Sequence, residues 1–252
     1  MAVGQGEDTS AFEYTRDAFL GGRLTLEQPA GGFRAGSDAV LLAAAVPAAA
    51  GRVLEAGCGV GAGMLCLARR VPEVKVTGLE LQPELAALAR RNVEANALGD
   101  RVTVVEGSLH RPPPGLLDQP FDHAFANPPF FAAGRHEVSP VATRALARSE
   151  GEEAGTLAAW TGFLLSAVRP GGTITMIHRA ERLDEIMALL AGAVVLPLLP
   201  GAGRPPKRVL VRAVLGFSGP ADLRPGFVLH RPDGGYTSAA EAILRHGEPL
   251  VF

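Results

Sequence analysis

Arg52-Val53-Leu54-Glu55-Ala56-Gly57-Cys58-Gly59-Val60-Gly61-Ala62 decides the fold. Its first four residues read as a short buried strand, its glycines as a turn, and the stretch running on through Arg70 as a helix. Glycine at 57 and 59 allows a sharp turn and lets a ligand approach the backbone with no Cβ in the way. The helix start beyond it offers unpaired amide N–H groups.

Downstream the same alternation repeats. Val74 to Glu80 is a second strand with β-branched residues at alternate positions, and Pro83 opens an Ala/Leu-rich helix to about Asn96. Val102 to Val105 and Phe121 to Ala126 are further strands. A helix from about Thr156 to Val168 stops at Pro170-Gly171-Gly172, and Thr173 to Ile177 is a fifth strand. Such an alternation predicts βαβ units and an α/β, Rossmann-like fold, its mostly parallel sheet covered by helices on both faces. Further on come a helix from about Arg182 to Leu190, apolar Val194 to Leu199, a Pro205-Pro206 break, a β-rich run from Arg208 to Phe217 and a helix from Ser238 to Arg245. Upstream, Leu24-Thr25-Leu26 alternates like a strand, and Ser37 and Asp38 are expected to cap a helix that Pro47 stops. Residues 1–23 read as a flexible extension, Met1 to Ser10 being Gly-rich and polar. Residues 24–252 read as a single domain, with an N-terminal segment of about 24–50 and a core of 51–252.

Composition narrows the function classes. A net charge of −2 gives no global attraction to nucleic acid, so an RNA partner would be held by a local patch. Two cysteines, Cys58 and Cys66, make no disulfide framework, and the scattered histidines show no metal-ligand spacing, so no metal is expected. The longest apolar run, Ala39 to Ala50, is too short to span a bilayer, and the acidic, polar start is unlike a secretory signal. These features predict a soluble, cytoplasmic protein with no membrane partner. Oligomeric state is left open by the sequence.

The glycine-rich loop alone is ambiguous, because Gly57-Cys58-Gly59-Val60-Gly61-Ala62 also fits the G-x-G-x-x-A form of the dinucleotide fingerprint. Glu80, closing the next strand, stands where a carboxylate accepts the ribose hydroxyls of an adenosine. Glu55, directly before the glycines, would repel a pyrophosphate but suits the cationic methionine end of S-adenosylmethionine. No second substrate domain follows. A glycine-rich turn with no ligand is the plainer alternative.

Asn127-Pro128-Pro129-Phe130 ends the fourth strand, at the carboxyl edge where ligands of open α/β sheets bind. Each proline keeps the residue before it extended and contributes no N–H. The result is an acceptor-rich site: the Asn127 side-chain oxygen and the Pro128 carbonyl. Two close acceptors suit a planar NH₂ group, such as adenine N6, guanine N2, cytosine N4 or a glutamine amide. Hydrogen bonds from both of its N–H protons draw the nitrogen toward tetrahedral geometry and stabilise the positive charge that develops on methyl transfer. Phe130 is placed to stack on the substrate, at ~1–3 kcal/mol for a nucleobase. The alternative is a rigid turn that caps the strand.

With these motifs in place the chain resembles class I S-adenosylmethionine methyltransferases acting on amino groups, and above all the bacterial tRNA (valine) adenine-N6 methyltransferases. The resemblance rests on Leu24-Thr25-Leu26-Glu27-Gln28, Phe33 to Leu42, the glycine-rich loop, Glu80-Leu81, Asn127 to Phe130 with Phe131 behind it, Arg208-Val209-Leu210 and Pro232 to Thr237. It implies a seven-stranded sheet with one antiparallel strand and S-adenosylmethionine as cofactor. It further implies a cofactor site of Gly36, Asp38, Glu55, Gly57, Cys58, Gly59, Gly61, Glu80, Leu81, Gly107, Ser108 and Asn127, and a tRNA substrate near the anticodon. Asn127, Pro128, Pro129 and Phe130 carry catalysis in this reading. Phe130, Phe131, Arg135, Lys207 and Arg208 contact substrate, with His136, Arg144, Arg148 and Arg204 as further cations that are otherwise solvated surface charges. Gly107-Ser108 replaces the Asp that the family often carries after the third strand. Phe130 also suits guanine-N2 enzymes. Other readings of the same motifs are guanine-N2 methylation of ribosomal RNA, glutamine-N5 methylation of a release factor, a small-molecule substrate, and a catalytically silent cofactor- or RNA-binding module.

Overall fold

In the computed structural model, residues 13–31, 34–129 and 156–252 are described. Strands β1 (Tyr14–Phe19) and β2 (Leu24–Pro29) form an antiparallel hairpin ahead of helix α1 (Ser37–Ala45). Then come β3 (Gly51–Ala56), α2 (Ala62–Arg70), β4 (Val74–Glu80), α3 (Pro83–Ala95), β5 (Val102–Glu106) and β6 (Phe121–Ala126). After the 130–155 stretch follow α4 (Leu157–Ala167), β7 (Val168–Arg179), α5 (Leu183–Leu189), β8 (Val194–Gly201), β9 (Arg208–Val214), the short β10 (Asp222–Leu223) and β11 (Phe227–His230), and α6 (Ser238–His246).

The main sheet runs β5-β4-β3-β6-β7-β9-β8, with β9 antiparallel to both neighbours and the other pairs parallel. These are the seven strands that the resemblance implies. Two short strands, β10 and β11, extend the edge by pairing parallel with β8, and their few residues gave no periodic signal. Side chains alternate across the sheet, so Val53 enters one apolar layer with α1, α2 and α3 while Leu54 enters the other with α4 and α5. Burying side chains of this size contributes roughly 1.5–3 kcal/mol each.

Three expectations change. The flexible extension drawn over 1–23 gives way to the hairpin from Tyr14, whose residues pair one for one with Leu24–Pro29. Leu20, at the hairpin turn, is buried in the core. Ser37 and Asp38 do not cap α1: Gly36 is the cap, without a side-chain bond, and the two lie in the first turn. Pro170-Gly171-Gly172 separates no helix from strand; it lies inside β7 as a bulge, with Gly171 at φ 74°.

The hairpin docks on α3 through two asparagines one helical turn apart. Asn96 accepts from the Thr25 N–H at 3.0 Å and donates to the Thr25 carbonyl at 2.8 Å. Asn92 accepts from the Glu27 N–H at 2.7 Å and donates to the Glu27 carbonyl at 3.0 Å. The carboxamides thus present α3 to β2 as a neighbouring strand would, satisfying main-chain groups that would otherwise be stranded on an interior edge.

Candidate active site

Register brings the site together. Ala56 stands opposite Leu79 on one side and Ala126 on the other, so Gly57, Glu80 and Asn127 leave the sheet side by side at its carboxyl edge. Glu80 pairs with Glu106, which puts Leu81 beside Gly107 and Ser108 at that same edge. Because β9 runs antiparallel, with Arg208 opposite Arg179, its start delivers Lys207 and Arg208 there too.

The glycine-rich loop is held from three sides. The Gly57 and Cys58 N–H groups both donate to the Leu79 carbonyl, at 2.8 and 3.0 Å. Gly57 has φ +66°, and a Cβ there would lie 2.5 Å from a ring carbon of Trp160 on α4, so the loop rests on the indole. The Glu80 carboxylate accepts from the Gly59 N–H with one oxygen and from the Gln82 N–H with the other, both at 2.8 Å. Burial nevertheless raises its pKa above the usual carboxylate range, against those two bonds.

Glu55 is turned elsewhere than the sequence reading placed it. Its carboxylate is buried under the start of α2, where it accepts from the Met64 N–H at 2.7 Å and fills the space a Gly63 side chain would occupy. Burial raises its pKa to about 8, and the nearby Glu80 adds to the shift. It braces the loop from below. Cys58 is buried and its thiol pKa is raised well above normal, first by desolvation and then by Glu55 and Glu80. That disfavours a thiolate, as the missing histidine partner suggests.

Leu81 is exposed next to Glu80. Gly107 donates to the Glu80 carbonyl at 2.8 Å, and a Cβ on it would strike Pro113. The Ser108 hydroxyl accepts from the His110 N–H at 3.2 Å, so its oxygen is already engaged in the turn after β5. Gly36 is exposed, while Asp38 is paired with Arg208 at 3.0 Å. That ion pair was not foreseen. It joins a residue expected at the cofactor to one expected at the substrate, and it ties α1 to β9. Lys207 is exposed, as is Arg204.

Asn127 follows β6 directly. Its side-chain oxygen is buried and has no hydrogen-bond partner among the described residues. Native chains seldom leave such an acceptor unmet, because the desolvation it carries costs about 1–3 kcal/mol. Pro128 is buried and Pro129 exposed. The Pro129 carbonyl faces His178 of β7, a fully buried imidazole whose pKa is lowered chiefly by desolvation. Phe130, Phe131, Arg135, His136, Arg144 and Arg148 lie outside the described residues. Among the described residues there is no cluster of metal ligands and no helix long and apolar enough to cross a membrane.

Sequence reasoning missed Trp160, His178 and Asn92. Trp160 and His178 reach the site from elements beyond the motifs, and nothing in their local spacing announces it.

The site fits an adenosine-bearing cationic cofactor: a held carboxylate after the second strand, an exposed loop glycine lacking a Cβ, and an unmet acceptor at the neighbouring strand end. Comparison with known proteins agrees. Residues 53–149 match the family model described as a methyltransferase domain. A tRNA1(Val) (adenine(37)-N6)-methyltransferase of Aeromonas hydrophila is 32% identical over 81% of this chain and 85% of its own length. Its namesake from Porphyromonas gingivalis is 33% identical over 68% of each. Among solved structures, a predicted O-methyltransferase from Agrobacterium tumefaciens superposes with a TM-score of 0.70, at 24% identity over 85% of this chain and 98% of that one. At that identity the match speaks for the fold.

Proposed function

Given that the chain belongs to the tRNA1(Val) (adenine(37)-N6)-methyltransferase family, we propose that it transfers a methyl group from S-adenosylmethionine to the N6 amino group of an adenine beside the anticodon of a tRNA. The observation that carries this reading is the buried Asn127 side-chain oxygen, without a hydrogen-bond partner among the described residues, at the carboxyl end of β6 next to the glycine-rich loop.

The loop from Gly57 to Gly61, Glu80, Leu81 and Ser108 would hold the cofactor, with Glu55 acting from beneath. Bound there, the cofactor supplies an electrophilic methyl group on a sulfonium.

The protein's part is to make a poor nucleophile competent. Asn127 Oδ1 accepts one N–H of the exocyclic amine and the Pro128 carbonyl accepts the other. The nitrogen lone pair is thereby withdrawn from the ring and aimed at the methyl carbon. The same two acceptors would stabilise the positive charge that grows on the nitrogen as it takes up the methyl group. The amine proton leaves to solvent afterwards, so no base of raised pKa is required. Phe130 would stack on the base, and Lys207 and Arg204, both exposed, would meet phosphates.

The test is transfer of label from S-adenosylmethionine to unmodified tRNA1(Val) transcript, with ribosomal RNA and release factor as separate pools, followed by nucleoside and peptide analysis. N6-methyladenosine in the tRNA is the expected product. Label only as N2-methylguanosine or methylglutamine would overturn the substrate assignment, and no transfer to any pool would overturn the activity.

A further inference from the structure

The Asn92 carboxamide has a duty that Asn96 lacks. Both side chains are buried and both clamp β2, each making three hydrogen bonds. The third bond of Asn96 stays within α3, donated to the Asn92 carbonyl at 2.7 Å. The third bond of Asn92 leaves the helix and is donated at 2.9 Å to the carbonyl of Val60, inside the glycine-rich loop. Val60 lies between Gly59, whose N–H is held by Glu80, and Gly61, the left-handed cap of α2. Its peptide sits at the bend where the loop turns into the helix.

We propose that Asn92 is a positioning residue for the cofactor loop, fixing the Val60 peptide from behind and making cofactor affinity depend on the docked β1–β2 hairpin. Three glycines with positive φ leave this loop many backbone states, so its bound shape has to be selected by groups outside it. Leu79 selects the start, Glu80 the middle and Asn92 the end. A carboxamide fits this place because its NH₂ can serve two carbonyls, Glu27 and Val60, while its oxygen serves the Glu27 N–H. Those three partners take both of its N–H protons and one lone pair of its oxygen. Leucine of similar volume would leave all three main-chain groups unpaired. Linkage makes the dependence reciprocal: a ligand that favours the held loop also favours the docked hairpin.

The inference rests on the cofactor assignment, and the test separates the two. S-adenosylhomocysteine binding to the full chain is measured by calorimetry for wild type, Asn92→Ala and Asn96→Ala, alongside thermal unfolding. Each substitution removes three hydrogen bonds and loosens the same hairpin, so both lower Tm. Asn92→Ala is expected to raise the Kd at least ~10-fold and Asn96→Ala less than ~3-fold, the gap being the Val60 contact. Equal changes in Kd, or no change for Asn92→Ala, would overturn the proposal. Wild type that fails to bind S-adenosylhomocysteine would overturn the cofactor assignment instead. A second measurement needs no variant: single-amide hydrogen exchange on wild type, with and without S-adenosylhomocysteine. Slowing at the Glu27 N–H, bonded to Asn92, beyond that at the Thr25 N–H, bonded to Asn96, is the expected result. Equal slowing, or none, would refute the coupling.

Discussion

The two halves of the carboxyl edge are built on opposite terms. On the β3-β4-β5 side, every polar side chain beneath the loop is engaged: Glu80 with Gly59 and Gln82, Glu55 with Met64, and Asn92 with Glu27 and Val60. On the β6-β7 side, Asn127 Oδ1 and Trp160 Nε1 are buried without a partner among the described residues. The first half is preorganised, so a ligand meets a finished surface and little ordering is left to do. The second keeps an acceptor in a dry position, where a hydrogen bond is worth more than it would be in water and where a change of charge is felt most. On the function proposed above, binding and chemistry are separable, and substitutions should divide cleanly between them.

The sharpest way to break that division is Asn127→Ala. It should lower the rate of methyl transfer by about 10²–10³-fold or more, as for loss of one transition-state partner. The Kd for S-adenosylhomocysteine should stay within a few-fold. Single-turnover kinetics and calorimetry read the two quantities, and a parallel loss of both would erase the boundary. Glu80→Ala tests it from the other side: affinity should fall about 10–100-fold, the scale of one or two charge-assisted hydrogen bonds. Turnover at saturating cofactor should change much less.

A third experiment uses pH. The pKa of Glu55 in the folded chain, about 8, lies above its unfolded value near 4.5. Between those values the folded chain binds a proton that the unfolded chain has released, so stability falls as pH rises through the window. Glu80 shifts in the same direction and adds to the slope. Scanning calorimetry from pH 5 to pH 9 should therefore show Tm declining for the ligand-free protein, and Glu55→Gln should flatten the decline without removing it. A steeper decline in the variant would contradict the assignment. The smallest effect belongs to the edge itself. Asp38→Ala breaks a half-exposed pair with Arg208 and should cost about 1 kcal/mol or less in denaturant unfolding.

How far the sequence carried this follows the same division. Strand ends at Glu80 and Ala126 and the start of α3 at Pro83 were legible because each is marked locally: a period-2 pattern, a glycine-rich turn, a proline at a first helical position. The positions of the loop and of Asn127 at the strand ends were legible because each is marked by adjacent residues. What the sequence hid is long-range. Tyr14-Thr15-Arg16-Asp17-Ala18-Phe19 lacks a buried face, so nothing in it signals that Asn92 and Asn96, over sixty residues on, dock the hairpin it belongs to. Glu55 was read as facing the ligand and instead turns under α2, because spacing tells which strand end a carboxylate occupies but not which of two neighbours its oxygens reach. Arg208 was read as a grip for phosphate on charge alone. Its pairing with Asp38 depends on β9 running antiparallel, which no local pattern in the run from 208 to 217 reveals.

The contact between Gly57 and the indole of α4 has an optical consequence. Trp160 is the sole tryptophan of the chain, and it is 92% shielded from water while touching the first glycine of the cofactor loop. Its emission is thus a single-site signal, blue-shifted by its dry surroundings and sensitive to any displacement of the peptide above it. The molecule carries its own reporter against the glycine-rich loop, and a stopped-flow trace of the unlabelled protein mixed with S-adenosylhomocysteine would time any response of that loop.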